Sequence, residues 1–243
     1  MLGAACNHDL LSKDLFPALS RGVKRNAEMA TPCLMTVVQS LKVDASRYLT
    51  YLIDTCMYFF KQDTPEAAAK VGALLRAAVS RCSDNEAVLG LVNNILKEMD
   101  SMRPSLSVKR QVYMGVNEIV QAVEPRVMQK SDIRAFARSM VPVLLGVYKK
   151  EVNAANKCYV MDILGSAVCL AEEVSADVQA LMMSGLKLSG AACMPTLYLL
   201  NCITSVPDAT VDGKAVLPML EQAVERALAK PFLNGREGIL ALP

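Results

Sequence analysis

An all-α fold, a right-handed superhelix of about six antiparallel helix pairs, is the class this sequence predicts, and three observations carry the prediction. The apolar mass of the 243 residues is helical in kind: 53% are hydrophobic, 5% are aromatic and Trp is absent. What remains is mainly Ala, Leu, Val and Met, side chains that suit helix packing better than sheets. Apolar residues recur at three- and four-residue steps in segment after segment, and no stretch alternates with a period of two. Paired in order, the segments form units that begin roughly 37–47 residues apart, the period of HEAT or armadillo repeats.

Amphipathic segments run at approximately 9–25, 27–42, 45–62, 65–82, 85–102, 106–124, 131–149, 152–173, 175–188, 191–205 and 213–230. In the fourth, Val71, Leu75, Ala78 and Cys82 form one apolar stripe; in the sixth, Val112, Val116, Ile119 and Val123 do the same. A single stripe must be covered by a neighbour. Asp44 before Ala45, Thr64-Pro65-Glu66, Ser83-Asp84, Ser131-Asp132 and Asp212 offer side-chain acceptors or a first-turn proline to the unpaired N–H groups of a helix start. Connections this short make successive helices antiparallel neighbours. The units then start near residues 9, 45, 84, 131, 175 and 212, and Val206 to Gly213 reads as a surface turn.

A second repeat signal lies in Phe16-Pro17-Ala18-Leu19, Val141-Pro142-Val143-Leu144 and Leu217-Pro218-Met219-Leu220, each inside the first helix of its unit. An interior proline removes a backbone hydrogen bond and bends the helix at a cost of about 3 kcal/mol. Its reuse at one place predicts the bend of a HEAT first helix. Armadillo units instead divide that helix, usually at a Gly, and no regular Gly occurs there. Asn234 to Pro243 begins a helix and stops, where a solenoid should end in a polar cap. Residues 1–243 therefore read as one solenoid segment, a fragment of a longer chain.

The residues argue for binding rather than catalysis. His8 is the single histidine, so Ser-His-Asp and Cys-His arrangements and zinc sites built on His lack members. Ser184-Gly185-Leu186-Lys187 fits S-x-x-K without the companion motifs of penicillin-recognising enzymes. Gly213-Lys214 lacks the upstream Gly and following hydroxyl of a phosphate loop. Glu172-Glu173 and Asp162 read as a charged helix end and a solvated face rather than an acid–base pair. No catalytic residue, cofactor or metal is expected. The eight cysteines, from Cys6 to Cys202, are scattered without a CxxC pair and read as small buried hydrophobes in a reducing compartment. With no secretory signal or apolar run of membrane length, a cytoplasmic protein is expected.

Net charge is only +2, so an acidic partner must be met by a local patch. The candidates for partner or ribosome contact are Arg21, Lys24 and Arg25, then Lys109 and Arg110, then Arg134 and Arg138, then Lys149 and Lys150. Cations at a helix C-terminus also offset the macrodipole, which accounts for the first and last groups without a partner. Aromatics are not interleaved with them, so base stacking is not indicated.

Three stretches carry a resemblance. Lys13-Asp14-Leu15 is followed by Glu28; Ser40-Leu41-Lys42-Val43-Asp44-Ala45-Ser46-Arg47-Tyr48 is similar to an S-x-x-x-D-x-S-x-Y stretch; and Ala78 with Arg81-Cys82-Ser83-Asp84 is similar to A-R-Q-C-S-D. In this order and spacing they resemble the N-terminal HEAT region of the general control non-derepressible translational activator, the giant co-activator of the stress kinase acting on initiation factor two. The likeness covers about the first hundred residues; beyond residue 131 it is one of helix pattern, with Leu217-Pro218-Met219-Leu220 similar to L-L-P-L-L. It implies a non-catalytic, ribosome-associated scaffold that engages stalled ribosomes in the amino-acid starvation response and promotes kinase activation. It also implies that the kinase-binding part and the elongation-factor-three-like region lie outside this chain, and that the partners are proteins and the ribosome rather than a membrane or small molecule. The alternative is a HEAT adaptor of another class, such as a nuclear transport receptor or a phosphatase or chromosome scaffold, since one fold serves many functions.

Overall fold

The computed structural model describes residues 8–123, 125, 127–188, 192–204, 206 and 213–229. All regular structure among them is helical: α1 (His8–Leu10), a π-helical turn (Leu11–Leu15), α2 (Phe16–Arg25), α3 (Ala27–Ser40), a 3-10 helix (Ser46–Leu52), α4 (Ile53–Phe60), α5 (Pro65–Val79), α6 (Asn85–Met102), α7 (Leu106–Gln121), α8 (Lys130–Lys150), α9 (Ala154–Ala171), α10 (Ala176–Gly185), α11 (Met194–Ile203) and α12 (Gly213–Ala229). Each helical segment expected from periodicity is present. The readings of Cys6, Asp212 and residues 234–243 fall outside the described residues.

Two layers result. Each first helix packs on the second helix of its own pair, as α2 on α3, α4 on α5, α6 on α7, α8 on α9 and α10 on α11. First helices also stack on first helices, α2 on α4, α4 on α6 and α6 on α8, while second helices stack from α3 through α5, α7 and α9 to α11. The expected stripes face inward: Val71, Leu75, Ala78 and Cys82 are buried, as are Val112, Val116, Ile119 and Val123. Buried side chains form one cluster running from Leu11 to Ala223, as a solenoid requires when no pair can cover its own apolar faces. This two-layer stack is compatible with a helical solenoid.

Local chemistry explains where helices start. Thr64 caps α5 by accepting from the Ala67 N–H, with Pro65 in the first turn, and Asp84 caps α6 by accepting from Glu86 and Ala87. Asn26, Ser105, Asn153 and Ser175 cap α3, α7, α9 and α10 in the same way. Ser131-Asp132 does not cap: α8 begins at Lys130, and Asp132 lies within its first turn, where its charge still favours the helix N-terminus.

Two departures from regular α-helix have physical causes. Ahead of Pro17 the chain widens into a π turn, with the Phe16 N–H bonded to the Leu11 carbonyl. Pro17 has no N–H to offer the preceding turn and its ring would crowd it. Pro142 and Pro218 do lie inside α8 and α12, and Pro32 adds an interior proline in α3. Residues 46–52 wind as a 3-10 helix, in which Ser46, Leu49 and Leu52 share one buried face and Tyr48 is buried beside them. Close approach needs glycine at three places: a Cβ on Gly115 would stand 2.6 Å from Phe60 Cζ and one on Gly185 would fall on the Thr196 side chain, both between layers, and one on Gly165 would fall on the Cys202 side chain within the layer of second helices.

Candidate functional site: two polar edges and their cations

The two stretches 40–48 and 78–84 meet in space. Asp44 Oδ1 accepts the Ser46 N–H at 3.0 Å, the Ser46 hydroxyl at 2.7 Å and the Ser83 N–H at 3.2 Å, while Oδ2 accepts the Ser83 hydroxyl at 2.7 Å. Ser46 Oγ in turn accepts the N–H groups of Ser83 and Asp84, each at 3.2 Å. Arg81 Nε donates to the Leu41 carbonyl at 3.0 Å, and the Arg81 carbonyl accepts the Ala45 N–H at 3.1 Å. Burial alone would raise the Asp44 pKa; the hydrogen bonds from Ser46 and Ser83 outweigh it and hold the carboxyl below its usual value. Tyr48 completes the arrangement beneath, buried, stacked on Phe16 at 4.5 Å and bonded through its hydroxyl to His8 Nδ1 at 2.6 Å. His8 is exposed but tied to Tyr48, rather than simply solvent-facing. The resemblance motifs are therefore a clasp between two successive turns of the stack.

The clasp belongs to one of two polar edges. Along the edge where one pair passes to the next, Asn85 donates to the Asp132 carbonyl at 3.3 Å, Arg76 pairs with Glu118, Lys130 pairs with Glu172 at 2.6 Å, Arg134 also pairs with Glu172, and Arg138 pairs with Glu173 at 2.8 Å. Along the opposite edge, where first helix turns into second, Asp63 accepts from Ser107 and from Gln111, and Asn156 donates to the Leu106 carbonyl at 3.2 Å. Lys150 lies 3.6 Å from Asp100 there. Partners are commonly one repeat apart, 39 residues for Asp44 and Ser83 and 44 for Asp63 and Ser107.

Glu151 is the hub of this second edge. Its carboxylate is 1% exposed and accepts the Tyr113 hydroxyl at 2.8 Å and the Val152 and Asn153 N–H groups at 2.9 Å each, with the Lys109 ammonium at 3.5 Å. Burial would raise its pKa, but the Asn153 N–H, the Tyr113 hydroxyl and the Lys109 charge together hold it low. The same contact, with burial as the larger cause, drives the Tyr113 hydroxyl upward. Nothing in the sequence marked Glu151; one acidic residue after two lysines reads as a charged helix end.

The candidate cations divide accordingly. Arg134 and Arg138 are paired with Glu172 and Glu173, so those two acids, the expected helix end, are bridging groups. Lys109 and Lys150 are paired with Glu151 and Asp100, and Lys24 lies 3.1 Å from Asp54. Arg110 lies over the Tyr159 ring at 5.6 Å. Arg21, Arg25 and Lys149 are exposed. Lys24 and Arg25 occupy the last turn of α2, and Lys149 and Lys150 the last turn of α8, as the macrodipole argument requires.

The cysteines follow the burial expectation with one exception. Cys56, Cys82 and Cys193 are buried, and Cys158, Cys169 and Cys202 are half-buried; Cys33 is exposed. Grooves between helices are open and mixed in lining, one of about 400 Å³ lying between Thr31, Pro32, Met35, Tyr58, Phe59 and Lys70. Among the described residues no helix is long and apolar enough to cross a membrane.

Comparison with curated proteins and with solved structures yields no significant match. Residues 1–106 match the family described as Stalled ribosome sensor GCN1 N-terminal. That stretch holds the first two helix pairs, the first helix of the third and the whole Asp44–Ser46–Ser83 clasp. Over residues 1–106 this chain is therefore similar to the N-terminal region of the GCN1 family of stalled ribosome sensors.

Proposed function

We propose that this chain is a non-catalytic, HEAT-type scaffold segment of a cytoplasmic ribosome sensor, which engages stalled ribosomes and serves the amino-acid starvation response by promoting the kinase of initiation factor two through regions other than these residues. The observation that carries the reading is the family match over residues 1–106, in a stretch whose motif residues lock consecutive turns of the stack together. A sensor of a large particle needs a long surface held in fixed shape, and inter-repeat bonds supply that stiffness more directly than apolar packing, which tolerates sliding. The superhelix is right-handed in this reading, because paired helices of this period stack that way.

Sucrose-gradient sedimentation tests the proposal. The chain, mixed with purified ribosomes and with nuclease-resistant disomes, is expected in the ribosomal fractions and enriched on disomes. Recovery only at the top of the gradient would overturn it.

A further inference from the structure

The turns of the third and fourth pairs gather six cations on one edge. Arg103 ends α6, Lys109 and Arg110 lie in the opening turns of α7, Lys149 and Lys150 end α8, and Lys157 lies near the start of α9. Polar contacts bind these turns into one surface: Asn156 to the Leu106 carbonyl at 3.2 Å, Lys109 to Glu151 at 3.5 Å and Lys150 to Asp100 at 3.6 Å. Lys157 lies 4.7 Å from the centroid of Tyr148, and Arg110 lies over Tyr159.

The acids of this surface do not cancel it. Glu151 is buried and already accepts three hydrogen bonds, Asp63 is taken up by Ser107 and Gln111, Asp100 faces Lys150, and Glu98 is the remaining carboxylate at this end of α6, so four acids stand against the six cations. On the opposite edge of the same pairs Lys130, Arg134 and Arg138 face Glu172 and Glu173 at close range. Charge is thus segregated across the stack, with a net positive field on the edge holding Arg103 and Lys149, both exposed. Arg103 has φ 49 at the C-cap of α6, a left-handed conformation that is uncommon away from glycine and asparagine.

We infer that this edge, centred on Arg103, Lys149 and Lys157, is a contact surface for the phosphate backbone of RNA. The inference rests on the ribosome reading above and names the part of the chain that touches the particle. Phosphates rather than bases are the expected target, because the two nearby rings, Tyr148 and Tyr159, already lie under Lys157 and Arg110. Binding should therefore be indifferent to sequence and steeply dependent on salt, each neutralised phosphate adding roughly one to the slope of log K against log salt.

Anisotropy titration of a fluorescein-labelled RNA duplex of about 20 base pairs with the full chain tests this, across a series of potassium chloride concentrations. Arg103→Glu with Lys149→Glu is expected to weaken binding about tenfold or more near 100 mM salt and to lower the slope by roughly two. The milder Arg103→Ala, Lys149→Ala and Lys157→Ala chain should shift binding in the same direction, with circular dichroism verifying the fold. A control reversal on the other edge, Lys42→Glu with Arg47→Glu, should change binding less than threefold. Equal loss in patch and control variants, or binding of poly-glutamate in place of RNA, would overturn the inference. The sedimentation assay separates it from the reading beneath: if the patch variant still sediments with ribosomes as the parent does, the edge is wrong and the ribosome reading stands. Patch-dependent duplex binding by a chain that never sediments with ribosomes would support the edge and remove that reading.

Discussion

Glu151→Ala is expected to lower the stability of the fold by about 3–5 kcal/mol, and the figure follows from what the carboxylate holds. Three donors lose their acceptor: the Tyr113 hydroxyl and the Val152 and Asn153 N–H groups. Tyr113 is 3% exposed, so its hydroxyl bears nearly the full cost of a buried unsatisfied donor, about 1–3 kcal/mol. Val152 is 87% exposed, so water can take up part of the backbone demand, and those two groups fall near 1 kcal/mol each. Lys109 has a flexible stem and can turn its ammonium to solvent, so its release adds little. For a chain of this length the sum lowers the melting midpoint by roughly 10 °C. Circular dichroism melts of Glu151→Ala, Glu151→Gln and Lys109→Met measure it, with Gln expected to cost only about 1 kcal/mol because its carbonyl still accepts the two N–H groups. Glu151→Ala melting within 2 °C of Lys109→Met would refute the reasoning, since it would make the carboxylate a surface charge.

Acid unfolding should carry the same signature. The folded pKa of Glu151 lies below its ordinary 4.5 and that of Asp44 below its ordinary 3.8, so their contribution is complete above those values and is lost as pH falls through the folded ones. Urea midpoints between pH 7 and 3 are expected to drop on the acid side, and less steeply for Glu151→Gln. Ser46→Ala removes the acceptor of the Asp84 N–H and should cost about 1–2 kcal/mol in a urea titration; an unchanged midpoint would mean the clasp closes through Asp44 alone. Gly165→Ala places a methyl on the Cys202 side chain between α9 and α11 and should cost about 1–3 kcal/mol, with a neutral result showing that these two stacked helices can move apart freely. Under native conditions Cys33 should alkylate with iodoacetamide well before Cys56 and Cys82, which are buried and whose pKa is pushed up to about 12; site-resolved mass spectrometry finding equal rates would contradict that burial.

How much could be read without coordinates depended on whether the signal was local. Helix positions were legible because burial repeats every three or four residues, as at Val71, Leu75 and Ala78, and because Thr64 and Asp84 announce their helices by chemistry that acts within one turn. The 3-10 stretch at 46–52 and the π turn before Pro17 were not, since periods of 3.0, 3.6 and more than 4 differ too little over five to seven residues. Among the candidate cations, sequence could name all nine and rank none of them. Arg134 and Lys149 look alike in a string of letters, and what distinguishes them is a carboxylate 38 residues away in one case and open solvent in the other.

The sequence by itself determined the all-helical class, the place of its amphipathic segments and the family its first 106 residues resemble, because each is written in neighbours along the chain. Only the tertiary structure decided that Asp44, Ser46 and Ser83 close a clasp, that Glu151 at the end of α8 is a buried hub rather than a solvated charge, and that positive charge collects on one edge. Those facts depend on which turns stack beside which, and stacking joins residues some forty positions apart whose pairing no local pattern encodes.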